Sequence, residues 1–242
     1  MVPVPAKGRR VQRMRRQPDK RRIVPKPRRP TAGANLPARH PLRHAEFLIT
    51  AADWPQLPAG GAPEVAFAGR SNAGKSSAIN ALTQHTRLAF VSKTPGRTQH
   101  INFFRLPSGA LLADLPGYGY AEVPAAMRRH WQRFIARYLA ERAPLIGLVL
   151  IMDARHPLTE LDSQMLDWFL PSGRPVHILL AKCDKLATGE QRRVLDAVYE
   201  ALTESYGGRT AQIAVQLFSA TRRLGVAEAE RAVESWLAPL GT

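Results

Sequence analysis

Val65-Ala66-Phe67-Ala68-Gly69 runs straight into Arg70-Ser71-Asn72-Ala73-Gly74-Lys75-Ser76, and that junction decides the fold. The first stretch is apolar and of strand length, and from Lys75 to Gln84 the pattern turns helical. Gly69 to Ser76 fits G-x-x-x-x-G-K-[S/T] in a strand–loop–helix context. The glycines let successive backbone N–H groups curl toward phosphate oxygens, and the helix N-terminus adds the positive end of its dipole. Lys75 then neutralises β- and γ-phosphates, and the Ser76 hydroxyl is placed to ligate Mg²⁺. Such a loop predicts a nucleoside-triphosphate site.

Working outward, apolar runs alternate with helical patterns. Ile101 to Leu106 and Ala110 to Asp114 flank Pro107-Ser108-Gly109, a hairpin signal. Trp131, Phe134, Ile135, Tyr138 and Leu139 recur at helical spacing and read as core. Strands follow at Leu145 to Asp153, Val176 to Lys182 and Ile213 to Ser219. Helices are expected near Thr159 to Leu170, Glu190 to Tyr206 and Val226 to Ala238. The alternation predicts a three-layer α/β/α fold around a doubly wound, mostly parallel sheet, with the early hairpin adding one antiparallel strand.

Two further segments carry chemistry. Asp114-Leu115-Pro116-Gly117 ends an apolar strand downstream of the phosphate loop. That is the place for a second Mg²⁺-associated carboxylate, with the Gly117 N–H reading the γ-phosphate. Between the two lies the polar stretch Lys93 to Gln99, where Thr98 (with Thr94 as the runner-up) would complete the Mg²⁺ shell. Ala181-Lys182-Cys183-Asp184 closes a later strand. The Asp184 carboxylate can accept both N1–H and N2–H of guanine, whereas adenine would leave it unpaired. Lys182 can lay its alkyl stem over the base, and Phe218-Ser219-Ala220 can offer a backbone N–H to guanine O6.

Charge divides the chain. Residues 1–43 hold 14 of the 35 Lys+Arg and the single acid Asp19, so they carry +13 of the net +16. They also hold eight of the 20 prolines, which with so few apolar residues predicts a disordered arm before a G domain at 44–242. The arm reads as a polyanion binder, with RNA as the expected partner. It has no apolar segment typical of a secretory signal, and no serine or unbroken amphipathic pattern typical of an organelle address. The longest apolar stretch, Leu145 to Met152, is too short to span a bilayer. The lone Cys183 excludes an internal disulfide framework and fits a reducing compartment, so a cytoplasmic protein without membrane attachment is expected. The seven histidines show no metal-ligand spacing, His156 reads as a loop-fixing residue, and Cys183 reads as packing.

Taken together, these segments resemble the TRAFAC translation-factor-related GTPases, and most closely the EngB (YihA/YsxC) family of bacterial ribosome-assembly GTPases. The resemblance rests on E-V-A-F-A-G-R-S-N-A-G-K-S-S from Glu64, S-K-T-P-G-R-T-Q from Ser92, D-L-P-G-Y-G-Y-A from Asp114, D-A-R-H-P-L from Asp153 and L-L-A-K-C-D-K-L from Leu179. It implies a GTPase with Ser76 and Thr98 as Mg²⁺ ligands and with Gly96, Arg97, Thr98, Gln99 and His100 as the first switch. It also implies the large ribosomal subunit as partner, and a tie to cell division and septation. Asn72 resembles the residue that ligates K⁺ in related GTPases. Ala181 departs from the family pattern, where a threonine usually ties the base loop to the phosphate loop. Tyr118 stands where many GTPases carry the glutamine that orients the attacking water, so slow intrinsic hydrolysis is expected. A monomer is expected. The alternative is a basic RNA-binding protein whose nucleotide site is only structural; an ATPase or kinase is disfavoured by Asp184 and Ala220.

Overall fold

The computed structural model describes residues 41–89, 100–119 and 125–238, with the backbone alone for 125–128. The chain divides after Ala38 into units Met1–Ala38 and Arg39–Thr242, and every described element belongs to the second. Strands β1 (Glu46–Ala51), β2 (Glu64–Gly69), β3 (Ile101–Arg105), β4 (Leu111–Asp114), β5 (Leu145–Asp153), β6 (Val176–Ala181) and β7 (Ile213–Leu217) form one sheet in the order β1-β3-β4-β2-β5-β6-β7. β3 pairs antiparallel with both of its neighbours, while the β4–β2, β2–β5, β5–β6 and β6–β7 ladders are parallel. β3 is therefore the one strand of the seven that runs against the rest.

The parallel ladders leave the carboxyl ends of β2, β4, β5, β6 and β7 on one edge, where open α/β sheets bind ligands. Helices α2 (Ala125–Glu141), α3 (Glu160–Phe169) and α4 (Thr188–Tyr206) cover one face of the sheet. They bury Ile135, Tyr138, Leu139, Met165, Leu166, Phe169, Val198 and Leu202 against Ala66, Ala68, Phe103, Leu148 and Leu150. Helices α1 (Lys75–Thr83) and α5 (Val226–Leu237) cover the other, with Ile79, Leu82, Val226 and Val233 against Val65, Phe67, Leu112 and Val149. Successive residues of β2 thus point into opposite layers, which is why its five apolar residues run without a break. Leu42 and Ala45 are buried in the α1/α5 layer.

The hairpin forms as the Pro107-Ser108-Gly109 signal predicts, with Gly109 in the left-handed region. Trp131 departs from the expected core stripe: it is half-buried, while Phe134, Ile135, Tyr138 and Leu139 are buried. Strand β1 is not anticipated by the sequence reading. Its register shifts between Phe47 and Ile49, both of which are exposed, so it lacks the alternation that marks a half-buried strand.

Candidate functional site

The phosphate loop leaves β2 and is drawn tight by its own backbone. Ala73 N–H donates to Arg70 O at 2.9 Å, and Ser71 N–H donates to Tyr118 O at 2.8 Å. Gly74 sits at φ +114° directly before α1, a conformation side chains resist, and Asn72 takes the left-handed region at φ 64°. The segment after β4 is docked onto this loop: Leu115 N–H donates to Phe67 O at 2.9 Å, and Arg70 and Tyr118 form an isolated parallel bridge. A Cβ on Gly117 would lie 2.9 Å from Ser71 Oγ, so only glycine allows the approach. Pro116 is buried beneath the turn. Lys75 Nζ is ion-paired with Asp114 Oδ1, and both side chains are largely covered.

The base-side loop is built from the ends of β6 and β7. Cys183 N–H donates to Phe218 O and Phe218 N–H to Leu180 O, which brings Asp184 beside Ser219. Ser219 Oγ donates to Asp184 Oδ1 at 2.6 Å, and that hydroxyl in turn accepts from Arg222 N–H. The Ser219 hydrogen bond holds the Asp184 carboxyl below the usual carboxylate range, with help from Lys185. Cys183 is buried, and burial pushes its thiol up.

The two loops meet through residues 72, 74, 181 and 182. A Cβ on Gly74 would lie at ordinary van der Waals distance, 3.5 Å, from the Ala181 methyl, so the two residues lie side by side. Lys182, at φ 59°, donates its Nζ to the Asn72 carbonyl and, at 3.0 Å, to Asp153 Oδ2. The tie between base loop and phosphate loop therefore comes from Lys182. Burial acts to raise the Asp153 pKa, but hydrogen bonds from the Arg155 side chain and backbone and from Lys182 outweigh it and hold the carboxyl well below the ordinary value. These ion pairs fix the loop after β5, whereas His156 contributes a backbone N–H to Asp153 O and keeps its side chain exposed. A cavity of about 160 Å³ opens between Arg70, Ser71, Asn72, Asp153, Arg155 and Lys182.

Sequence reasoning named Ser219 and Tyr118 without their carboxylate partners, and it missed Asp153 and Asp162 as anchors. Tyr118, nearly buried, donates its hydroxyl to Asp162 Oδ1 at 2.6 Å, and the other Asp162 oxygen accepts from Thr159 N–H and Oγ1 at the start of α3. Burial, then the Asp162 charge, pushes the Tyr118 phenol well up. The T-x-x-D pattern at Thr159 to Asp162 carried a helix-start signal, but nothing in the sequence paired it with Tyr118.

The structure thus gathers Gly69 to Ser76, Asp114 to Gly117, Ala181 to Asp184 and Phe218 to Ala220 at one sheet edge. Gly96, Arg97, Thr98 and Gln99, together with Thr94, lie outside the described residues, and His100 directly precedes β3, whose Asn102 pairs with Asp114. Among the described residues no group of three His, Cys, Asp or Glu side chains could hold a metal. The Ser76 hydroxyl in the first turn of α1 and the Asp114 carboxylate paired with neighbouring Lys75 suit Mg²⁺, which keeps water and phosphate oxygens in its shell, better than a metal caged by protein. Among the described residues no helix is long and apolar enough to cross a membrane.

Residues 64–182 match the family described as 50S ribosome-binding GTPase. The chain is 59% identical over 197 residues to the probable GTP-binding protein EngB of Azoarcus sp. (strain BH72), covering 81% of this chain and 93% of that protein. It is 62% identical over 174 residues to the probable GTP-binding protein EngB of Neisseria meningitidis serogroup B, covering 72% and 82%. A crystal structure of a probable GTP-binding protein engB superposes with a TM-score of 0.58 at 19% identity, over 72% of this chain and 98% of that one, a likeness of fold.

Proposed function

Given that this chain belongs to the EngB family of GTP-binding proteins, we propose that it is a GTP-hydrolysing switch acting in assembly of the large ribosomal subunit, and through that in normal cell division. The observation that carries the reading is the coupling of three segments around the phosphate loop. Ser71 is bonded to Tyr118, Lys75 is paired with Asp114, and Asn72 is held by Lys182. Whatever fills the loop is therefore felt by both the base-side loop and the segment after β4.

In this reading Asp184, fixed by Ser219, selects guanine, and Lys182 covers the base. A bound triphosphate displaces Asp114 from Lys75, whose ammonium turns to the phosphate oxygens. Ser76 and Thr98 would hold Mg²⁺, which when bound would supply positive charge for the phosphates. Asp114, once released, would add its carboxylate to that site, and the Gly117 N–H would meet the γ-phosphate. Gly96 to His100 form the first switch. Tyr118 is buried against Asp162 and so has no free hydroxyl with which to orient an attacking water; intrinsic turnover is slow. Asn72, whose carbonyl accepts from Lys182 and which lines the cavity, would hold a K⁺ ion that supplies extra positive charge. The protein works as a monomer in the cytoplasm, with residues 1–43 as an rRNA-binding arm ahead of the G domain.

The test is co-sedimentation with large-subunit particles in GDP and in a non-hydrolysable GTP analogue. Stronger association with the analogue is expected, and by linkage the particles must then tighten analogue binding by the same factor. Equal association in both nucleotides, with no stimulated turnover, would favour an RNA-binding protein with a structural nucleotide site. Turnover measured in KCl and NaCl, with and without particles, checks the rate: slow in NaCl alone, faster in KCl and with particles. Fast turnover in NaCl alone sinks the slow-switch reading.

A further inference from the structure

Residues 44–242 carry only +3, yet α2 concentrates Arg128, Arg129, His130, Arg133 and Arg137 ahead of its single acid, Glu141. Arg129, Arg133 and Arg137 are four residues apart and exposed, so they line one face of the helix at steps of about 6 Å. That step is comparable to the separation of successive phosphates along a nucleic-acid strand. Arg137 is pinned, bonded to Glu141 at 2.9 Å and stacked 4.1 Å over the Trp54 ring. Arg129 and Arg133 have no ion-pair partner among the described residues, and with Gln132 they line an open cavity of about 240 Å³. The large exposed apolar side chains among the described residues, Phe47, Ile49, Tyr199 and Leu224, all lie on other elements. Among the described residues the face has no apolar anchor of the kind a protein partner buries.

We propose that the Arg129–Arg133 face of α2 is a second RNA-binding surface, on the G domain itself and separate from the N-terminal arm, that grips the sugar–phosphate backbone of ribosomal RNA. Guanidinium groups suit this task because each presents a planar fork of donors to a phosphate. Gln132 between them offers both a donor and an acceptor, the combination that reads a 2′-hydroxyl. With no exposed aromatic ring among the described residues of this face, the contact is indifferent to base identity. The proposal rests on the ribosomal reading of the chain for its particular RNA.

The experiment uses the full chain and its Arg129→Gln/Arg133→Gln variant. The control is Arg192→Gln/Arg193→Gln on α4, which removes the same charge from exposed positions on another helix. Binding to large-subunit particles in the GTP analogue, and to naked ribosomal RNA, is titrated from about 50 to 200 mM salt. Losing two phosphate contacts should make the slope of log K against log[salt] shallower by roughly 1.5. The α4 control should keep the original slope, and all three proteins should share one GTP affinity and one unfolding midpoint. An unchanged slope for the α2 variant, or the same change in the control, overturns the proposal. If the unmodified protein ignores particles, the ribosomal reading fails by itself; the α2 face is then judged on naked RNA, where coincident slopes overturn it.

Discussion

Asp184, the residue proposed to select guanine, is held in place by its neighbours. Its carboxylate accepts from Ser219, itself fixed by Arg222 N–H, so one oxygen is committed to positioning and the group stays ionised. Asp184→Asn should weaken GTP at least a hundredfold, since two charge-assisted bonds at about 1.5–3 kcal/mol each are lost. The same variant should gain affinity for XTP, whose C2 oxygen accepts from the new amide. Titration of GTP, ATP and XTP on both proteins checks this, and equal ATP and GTP affinity in the unmodified chain refutes the guanine assignment. Lys75, Asp114 and Asp184 were legible in the sequence because each sits in a short motif whose order and strand-end placement constrain its chemistry. Ser219, Asp153 and Asp162 were not legible as anchors. Their partners lie 35, 29 and 44 residues away, and only the strand order of the sheet brings them together.

At the scale of elements, the start of β2 is locked to the end of α2. Glu64, fully buried, accepts from the Tyr138 hydroxyl at 2.8 Å and from the Arg142 guanidinium, which also donates to Pro58 O at 2.7 Å. The Glu64 bonds raise the Arg142 pKa against the opposing effect of burial, and burial followed by the Glu64 charge pushes the Tyr138 phenol well up. This clamp sets where β2 begins and hence where the phosphate loop leaves it. Glu64→Ala leaves a buried guanidinium without its counter-ion and should cost about 3–5 kcal/mol, read as a lower urea midpoint. Glu64→Gln keeps the shape and one acceptor and should cost less; no loss at all in Glu64→Gln would show that the charge contributes nothing. The sequence reading began this strand at Val65, because a glutamate opening an apolar run looks like a solvated strand end. Its burial depends on Tyr138 and Arg142, 74 and 78 residues further on. The parallel core strands and long helices were legible for the opposite reason, since each carries its own local signal, an unbroken apolar run in the strands and a helical period in the helices.

The whole molecule joins a charged segment to a nearly neutral body, and the last prediction concerns how they divide the work. Residues 2–38 bring twelve Lys+Arg, one acid and no aromatic side chain. Any contact they make with RNA is therefore electrostatic and lacks the base-stacking contribution of single-strand binders. If about half of those cations meet phosphates, their removal should make the salt slope on ribosomal particles shallower by roughly 4–5, the larger share of the total. The slope that remains belongs to the body, and the Arg129→Gln/Arg133→Gln change should reduce it further by the same roughly 1.5 as in the full chain, because separate contacts add. Removal ending at residue 38 retains Leu42 and Ala45, which are buried in the α1/α5 layer, so stability should hold. GTP affinity should be untouched, since the phosphate loop, the Asp114 segment and the base loop all lie beyond residue 68. Paired salt titrations and GTP titrations on the full and shortened chains decide the matter. Coincident slopes would leave the N-terminal segment without a role in binding and assign recognition to the body alone, while a loss of GTP affinity would show that the segment acts on the nucleotide site.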